Sequence, residues 1–314
     1  MVDLALLGCG GGMPIPQRYL SSLLISYKGR KILMDCGEGT QVSMKILGWG
    51  FKSIDVICIT HGHADHILGL PGILLTIGNS GRTEPITIIG PKGIIELVKG
   101  LSVVAPYLPY ELNIIENPQE PVKIKTLLNY DNPLGGEFND LIISTLELEH
   151  STDCLGYSLY FNRKPKFDVE SATENEIPKK FWSRLQKNET IIDCGKTYFP
   201  GMVMGKERRG IKISFITDTR PIPRITTFIK GSDLFICEGT YGNEDDIEKA
   251  IKNRHMTFSE AARLAVEGHV QELLLTHFSP SMLDPEEYTD RAEDIFKSSI
   301  IGFDRFIKTL SFKD

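Results

Sequence analysis

Histidine is scarce in this chain, with seven in 314 residues, and tryptophan is scarcer, with two. The six cysteines, Cys9, Cys36, Cys58, Cys154, Cys194 and Cys237, never stand as CxxC. That excludes a zinc knuckle and a redox dithiol. In a reducing compartment they read as small buried apolar residues. No apolar run approaches the ~20 residues that a membrane-spanning helix needs. The N-terminal stretch "MVDLALLGCGGGMP" has no basic start and too short an apolar run for a secretory leader. A cytoplasmic location and no membrane partner are therefore expected. Cations are outnumbered, at a net charge of −6. That argues against a bulk electrostatic grip on nucleic acid and leaves room for a local basic patch.

What is present is an ordinary globular composition, 41% hydrophobic and 24% charged, in a chain long enough to bury a large core. Strand-like runs come early: "LALLGCG", a hairpin in "SSLLISYKGRKILMDCG", and the short buried run "DVICITH". Helical spacing follows in "ADHILGLPGILLTIGN", interrupted by Pro71. "PITIIGP" reads as a strand and "GIIELVKGLSVVA" as a helix. Residues 111 to 161 read mostly as strands. "IKISFITDT", "SDLFICEGT" and "QELLLTHFS" read as strands, with "FSEAARLAVEGH" as a helix between the last two. "DPEEYTDRAEDIFKSS" reads as a C-terminal helix. Strands in both halves with helices between them predict two mixed sheets covered by helices, a four-layer αββα sandwich of the α/β class. The length allows one large domain or two modest ones, and a single domain over 1–314 is expected. No short-period repeat is visible.

Three of the few histidines fall in one short stretch, "ICITHGHADHILGLPGIL". His61 and His63 alternate in an extended segment and point the same way. Asp65 and His66 then open the next helix and face the other side of a cluster. One loop thereby offers two ligands to each of two neighbouring metal ions, since imidazole nitrogens and carboxylate oxygens are zinc-type donors. Further donors stand just beyond apolar runs: His150 after "LELE", Asp218 after "SFIT", His277 after "LLLT". Each could be structural alone; together with His61–His66 they form a candidate ligand set. His269, behind Gly268 at a helix end, reads as structural.

"THGHADH" matches the HxHxDH signature of the metallo-β-lactamase superfamily. The chain more specifically resembles the ribonuclease Z family of tRNA 3′-processing endonucleases. The supporting motifs are "LGCGGGMPIPQR", "LMDCGEGTQ", "THGHADHILGLPGIL", "LEHSTDCLGYSL", "FITDTRP", "CEGT", "RHMTFSEAARLA" and "LTHFSP". The resemblance implies that His61, His63 and His150 hold one metal and Asp65, His66 and His277 a second, with Asp218 bridging. It implies two Zn²⁺ per subunit, Mn²⁺ or Mg²⁺ being alternatives, and a water activated between them that attacks the phosphodiester. Asp65 would accept the proton of that water. Asp35 looks like the family's aspartate that orients a histidine ligand. His255 would protonate the leaving oxygen, oriented by Glu238. Arg18 matches part of a substrate loop. Where the family often has a histidine before the glutamate, this chain has Cys237. A homodimer acting on precursor tRNA and leaving a 3′-hydroxyl is implied.

Residues 162–210 break the pattern. They are polar and turn-rich, and basic residues outnumber acidic ones. The segment reads either as a solvated insertion or as a protruding arm that meets a polyanion. Lys179, Lys180 and Arg184 around Phe181 and Trp182 would combine charge with a stacking surface. Two other activities compete with the tRNA reading: a phosphodiesterase of the same fold for small cyclic or aryl diesters, and a metal-holding sensor without turnover.

Overall fold

The protein is described here from a computed structural model covering residues 1–124 and 141–313. β1 (Val2–Gly8), β2 (Ser22–Tyr27) and β3 (Arg30–Met34) pair antiparallel in succession. Lys28 and Gly29 make the β2–β3 turn, with φ of 51° and 77°. Positive φ at both positions gives the two-residue hairpin turn that suits strand twist. Next come α1 (Thr40–Leu47), β4 (Ile54–Cys58), α2 (Ala64–Ile67), α3 (Leu70–Asn79), β5 (Ile86–Gly90), α4 (Ile94–Leu101) and β6 (Leu112–Glu116). β3 to β6 run parallel. The helical run after His63 is split in two, with Pro71 in the first turn of α3, where its missing N–H costs nothing.

β7 (Val122–Ile124), β8 (Leu141–Glu147) and β9 (Leu155–Arg163) follow. The strand expectation for 111–161 is met at these elements, and its part at 125–140 lies outside the described residues. The next elements are α5 (Val169–Glu174), α6 (Lys179–Gln186), β10 (Ile191–Asp193), β11 (Lys196–Tyr198) and β12 (Arg208–Ile216). The chain continues with α7 (Pro223–Ile229), β13 (Leu234–Glu238), α8 (Ile247–Asn253), α9 (Phe258–Glu267) and β14 (Leu273–Thr276). It ends with α10 (Thr289–Glu293), β15 (Ser299–Ile301) and β16 (Phe306–Leu310). The C-terminal helix is shorter than expected. Only Ala292 of α10 is buried, so little packing is available to propagate it.

One seven-stranded sheet has the order β16-β1-β2-β3-β4-β5-β6 and the other β15-β14-β13-β12-β9-β8-β7. β12 to β15 are parallel. Central strands such as β13 and β14 are buried at every residue, as expected where both faces of a sheet are covered. Residues of α1, α3 and α4, among them Met44, Ile73, Leu74 and Val98, share one core with Leu24, Leu33, Ile57 and Ile88 of the first sheet. α9 lies on β13 and β14. The Tyr157 hydroxyl of β9 donates to the Ile59 carbonyl at 2.6 Å, which ties the second sheet to the end of β4. The result is the αββα sandwich that the strand pattern predicts.

The chain divides into two compact units. The first comprises Met1–Val122, Ile143–Leu159 and Lys212–Ser311; the second is built on Tyr160–Ile211. The second unit is more than a turn-rich insertion. α5, α6 and the β10–β11 hairpin enclose a small core of Ala172, Ile177, Phe181, Leu185, Ile191, Tyr198 and Val203. Asp168 caps α5 by accepting from the Glu170 and Ser171 amides, the usual service of an N-cap aspartate.

Candidate metal centre

The site lies within the first unit, at the carboxyl ends of parallel strands, where α/β sheets commonly place ligands. Asp35 follows β3, His61 lies shortly beyond β4, Asp218 follows β12, Glu238 ends β13 and His277 follows β14. His63 is the N-cap of α2, and Asp65 and His66 lie in its single turn. Asp35, Asp218 and His277 have φ of 55°, 46° and 59°. Left-handed backbone at non-glycine residues is sparsely populated and concentrates at functional sites.

Two groups of donors account for the seven ligand candidates, and a third, Asp218 with His255 and His277, overlaps them. His61, His63, His150 and Asp218 form the first, and Asp65, His66 and His277 the second, with potential ligand atoms within 4.8 Å of one another in each group. Asp218 stands between them. Its Oδ2 is 3.6 Å from His61 Nε2 and 3.8 Å from His150 Nε2, while its Oδ1 is 3.4 Å from His66 Nε2 and 3.2 Å from His277 Nε2. All seven ligand candidates are therefore brought together.

Each imidazole is turned by a partner on its other nitrogen. His66 Nδ1 meets Asp35 Oδ2 at 2.7 Å, and Asp35 is itself held by the Thr60 amide and hydroxyl. Thr60 Oγ1 lies 3.1 Å from His61 Nδ1. His150 Nδ1 is 3.2 Å from the Arg254 carbonyl, and the Arg254 guanidinium donates back to the His150 carbonyl. Thr240 Oγ1 is 3.1 Å from His277 Nδ1. Such partners set ring orientation and tautomer at metal sites.

The donors fit a cation. His61 Nε2 and Asp218 Oδ1 are buried and make no protein hydrogen bond, and orphaned buried polar atoms need a partner. Burial lowers the proton affinity of His61, helped by neighbouring His66. Burial also works against protonated His66, but Asp218 and Asp35 outweigh it and raise that group well above the usual imidazole range. Burial would raise the Asp218 carboxyl, yet His277, His66 and His61 hold it far below the usual range. The field that pulls a proton onto His66 is one that a divalent ion would neutralise.

His255 stands beside this centre. Its ring stacks on His277 with centroids 5.4 Å apart. Its Nδ1 is 3.1 Å from Glu238 Oε2. Glu238 is fully buried and accepts from the Thr219 and Met256 amides and the Thr240 hydroxyl. Burial opposes protonation of His255, but the Glu238 charge and hydrogen bond prevail and lift it to about 9. A cavity of about 440 Å³ opens over these groups, bordered by Gly12, His63, Asp65, His255 and the cations Lys252 and Arg254.

Arg18, expected at the substrate, is engaged elsewhere. Its guanidinium donates to the Ser279, Met282 and Leu283 carbonyls and clamps that turn. Phe181 and Trp182 do not form an exposed stacking pair. Phe181 is only 6% exposed and packs against Tyr198; Trp182 rests on Phe167 and donates to the Ile177 carbonyl. Helical spacing turns Phe181 inward with Leu185, because four residues make about one turn. Lys179, Lys180 and Arg184 stay exposed on the second unit. Lys180 pairs with Asp193 and Arg184 with Glu189. The sequence reading missed Thr60, Arg220 and Arg254. Thr60 adjoins the histidine motif and Arg254 adjoins His255, but neither residue type announces a ligand-orienting role.

Solved structures share this architecture. The metallo-β-lactamase fold protein YhfI from Bacillus subtilis superposes with a TM-score of 0.67 at 18% identity, covering 98% of each chain. Human tRNase Z, short form, superposes with a TM-score of 0.67 at 22% identity, over 99% of this chain and 100% of that one. Fold and donor cluster define a hydrolase of the metallo-β-lactamase fold with a place for divalent metal. Over the full length of both chains, the sequence is 60% identical to ribonuclease Z of Clostridium beijerinckii and 55% identical to that of Clostridioides difficile. The chain belongs to the ribonuclease Z family, the tRNA 3′-processing endoribonucleases of this fold. A family model described as "Anti-Pycsar protein Apyc1" also matches residues 2–203. That span includes the motifs through His150 and excludes Asp218, Glu238, His255 and His277. Among the described residues, no helix is long and apolar enough to cross a membrane.

Proposed function

We propose that this chain removes the 3′ trailer of precursor tRNA through a two-metal centre formed by His61, His63, His150, Asp65, His66, His277 and the bridging Asp218. The observation that carries the reading is Asp218 between two donor groups, with His61 Nε2 and its own Oδ1 buried and unpartnered. Two divalent ions held there would supply Lewis acidity and a water of lowered pKa. The chain's own residues do the rest. Asp65 stands at the cavity wall with its carboxyl held below the usual range: burial opposes this, and hydrogen bonds from His277 and His66 prevail. It accepts the proton of the attacking water. His255 delivers a proton to the departing oxygen, its Nδ1 being fixed on Glu238 so that the opposite ring edge is free for substrate. The bond that breaks is the one from phosphorus to the tRNA 3′ oxygen, so the phosphate stays on the trailer and the tRNA keeps a 3′-hydroxyl.

The resemblance further supports zinc as the ion, a homodimer and a cytoplasmic site of action. It also supports residues 162–210 as an arm, inserted in a single catalytic domain, that grips tRNA. Eleven Lys and Arg against seven Asp and Glu in that segment favour contact with a polyanion. Exposed Lys179, Lys180 and Arg184 are the proposed contacts. The decisive experiment is cleavage of end-labelled precursor tRNA by protein of measured metal content, with both product ends mapped. Cleavage at the trailer junction that is lost after chelation and in Asp65→Asn supports the reading. Turnover confined to small cyclic or aryl diesters would replace it with the phosphodiesterase reading, and metal binding without turnover with the sensor.

A further inference from the structure

Three consecutive glycines, Gly10, Gly11 and Gly12, run along the metal centre. The Gly12 amide donates to Asp65 Oδ2 at 2.6 Å. Gly11 passes so close to His277 that a Cβ there would come within 2.4 Å of its Cε1. Gly11 must therefore lack a side chain, Gly12 has a left-handed φ of 76°, and three glycines in a row are costly to hold in one conformation. Something outside it must fix its path. In the middle, the Gly10 amide donates to the Tyr19 carbonyl and the Gly11 amide to the Phe278 carbonyl.

The two ends meet on one carboxylate. The Cys9 amide donates to Asp304 Oδ1 at 3.1 Å, with the Cys9 thiol at 3.3 Å, and the Tyr19 amide donates to Oδ2 at 2.7 Å. Asp304 lies far along the chain, just before β16. The antiparallel pairing of β1 with β16, Leu6 opposite Phe306, brings Asp304 beside the end of β1 where Cys9 begins. The Arg305 amide on the Leu6 carbonyl secures that placement. The Asp304 side chain is 4% exposed, and the nearest cation, Arg305, is 4.0 Å away at Oδ2.

We propose that Asp304 is a positioning residue for the reaction: by fastening Cys9 and Tyr19 it keeps the Gly12 N–H on Asp65 and so fixes the carboxylate that faces the metals and the attacking water. The inference rests on the metal-centre reading above. Asparagine at 304 offers one acceptor where the loop ends present two amides, so it releases one end.

The test compares wild type, Asp304→Asn, Asp65→Asn and the double variant, each with metal content measured. Hydrogen exchange of the 9–19 segment is followed in metal-free and metal-loaded protein. Asp304→Asn should speed exchange of the Gly10–Gly12 amides in both forms. It should lower kcat on precursor tRNA by roughly 10- to 100-fold with KM changed little, the scale of a small misplacement of a reacting group. Added to Asp65→Asn it should lower the rate no further, because the two act as a unit. Wild-type exchange and wild-type kcat in Asp304→Asn would overturn the proposal, and so would a full additional loss in the double variant. Where Asp304→Asn fails to fold, Asp304→Ser, with one small acceptor, is judged by the same two readouts. Full activity in Asp65→Asn would instead sink the metal-centre reading. A dead Asp65→Asn beside a wild-type Asp304→Asn would sink this inference alone.

Discussion

His255 allows metal holding to be separated from proton delivery. Its Nδ1 faces Glu238, and although its ring also falls in a third donor group with Asp218 and His277, the two groups that contain the seven ligand candidates do not include it. His255→Ala should therefore retain its metal while the rate on precursor tRNA falls by roughly 10²–10⁴, the usual worth of a positioned general acid. The loss should be smaller on bis(p-nitrophenyl) phosphate, whose leaving group departs without a proton. Parallel kinetics on both substrates with metal analysis check this; equal losses would leave His255 only a phosphate contact. Asp35→Asn is expected to act differently. Asparagine keeps one acceptor oxygen and no charge, so it cannot serve both the Thr60 amide and the His66 ring, and metal affinity should fall about 10–100-fold, measured by competition with a chromophoric chelator. The residue motifs were legible because histidine is rare and "THGHADH" concentrates it. Thr60 and Arg254 were not, because a threonine hydroxyl and a backbone carbonyl orient imidazoles without any sequence signature.

Among the elements, α9 shows how local capping reaches the site. Thr257 and Glu260 form a capping box at its start, and Glu260 also binds the Arg220 guanidinium, which donates to the His255 carbonyl. Thr257→Ala removes the cap acceptor and the donor to Glu244. It should destabilise the protein by about 1 kcal/mol, read as a shift of the urea midpoint at unchanged slope, with a modest loss of rate. The pattern "RHMTFSEAA" shows that cap in the sequence; the link through Arg220 appears only once the loop after β12 is brought to the start of α9. A second element-level expectation concerns the loop after β1. Gly11→Ala should displace His277 and reduce activity severely while β1 and its sheet stay intact, checked by circular dichroism beside kinetics.

For the whole molecule, the second unit carries its own core, so its removal need not disturb the first. Replacing 162–210 by a short Gly-Ser link should spare turnover of a small diester and greatly weaken precursor-tRNA binding. A salt titration of both proteins checks it, since each lost phosphate contact flattens the salt dependence. Unchanged affinity at matched salt would remove the arm from the tRNA contact. The sequence showed this segment as basic and polar, but it misplaced Phe181. A short amphipathic helix buries one face only when β10, β11 and α5 are there to receive it.

The sequence by itself determined the class of fold and the chemistry of the centre. Period-two and period-three-to-four patterning dictates sheets between helices, and imidazoles with carboxylates at strand ends provide a place for a metal. Tertiary structure alone decided which residues serve one another. Arg18 closes the 279–283 turn because the Gly10–Phe278 pairing carries that turn beside it. Asp304 reaches Cys9 because β16 returns to β1 across nearly three hundred residues. Strand register brings such groups together, and local sequence patterns do not encode the pairing of segments so far apart.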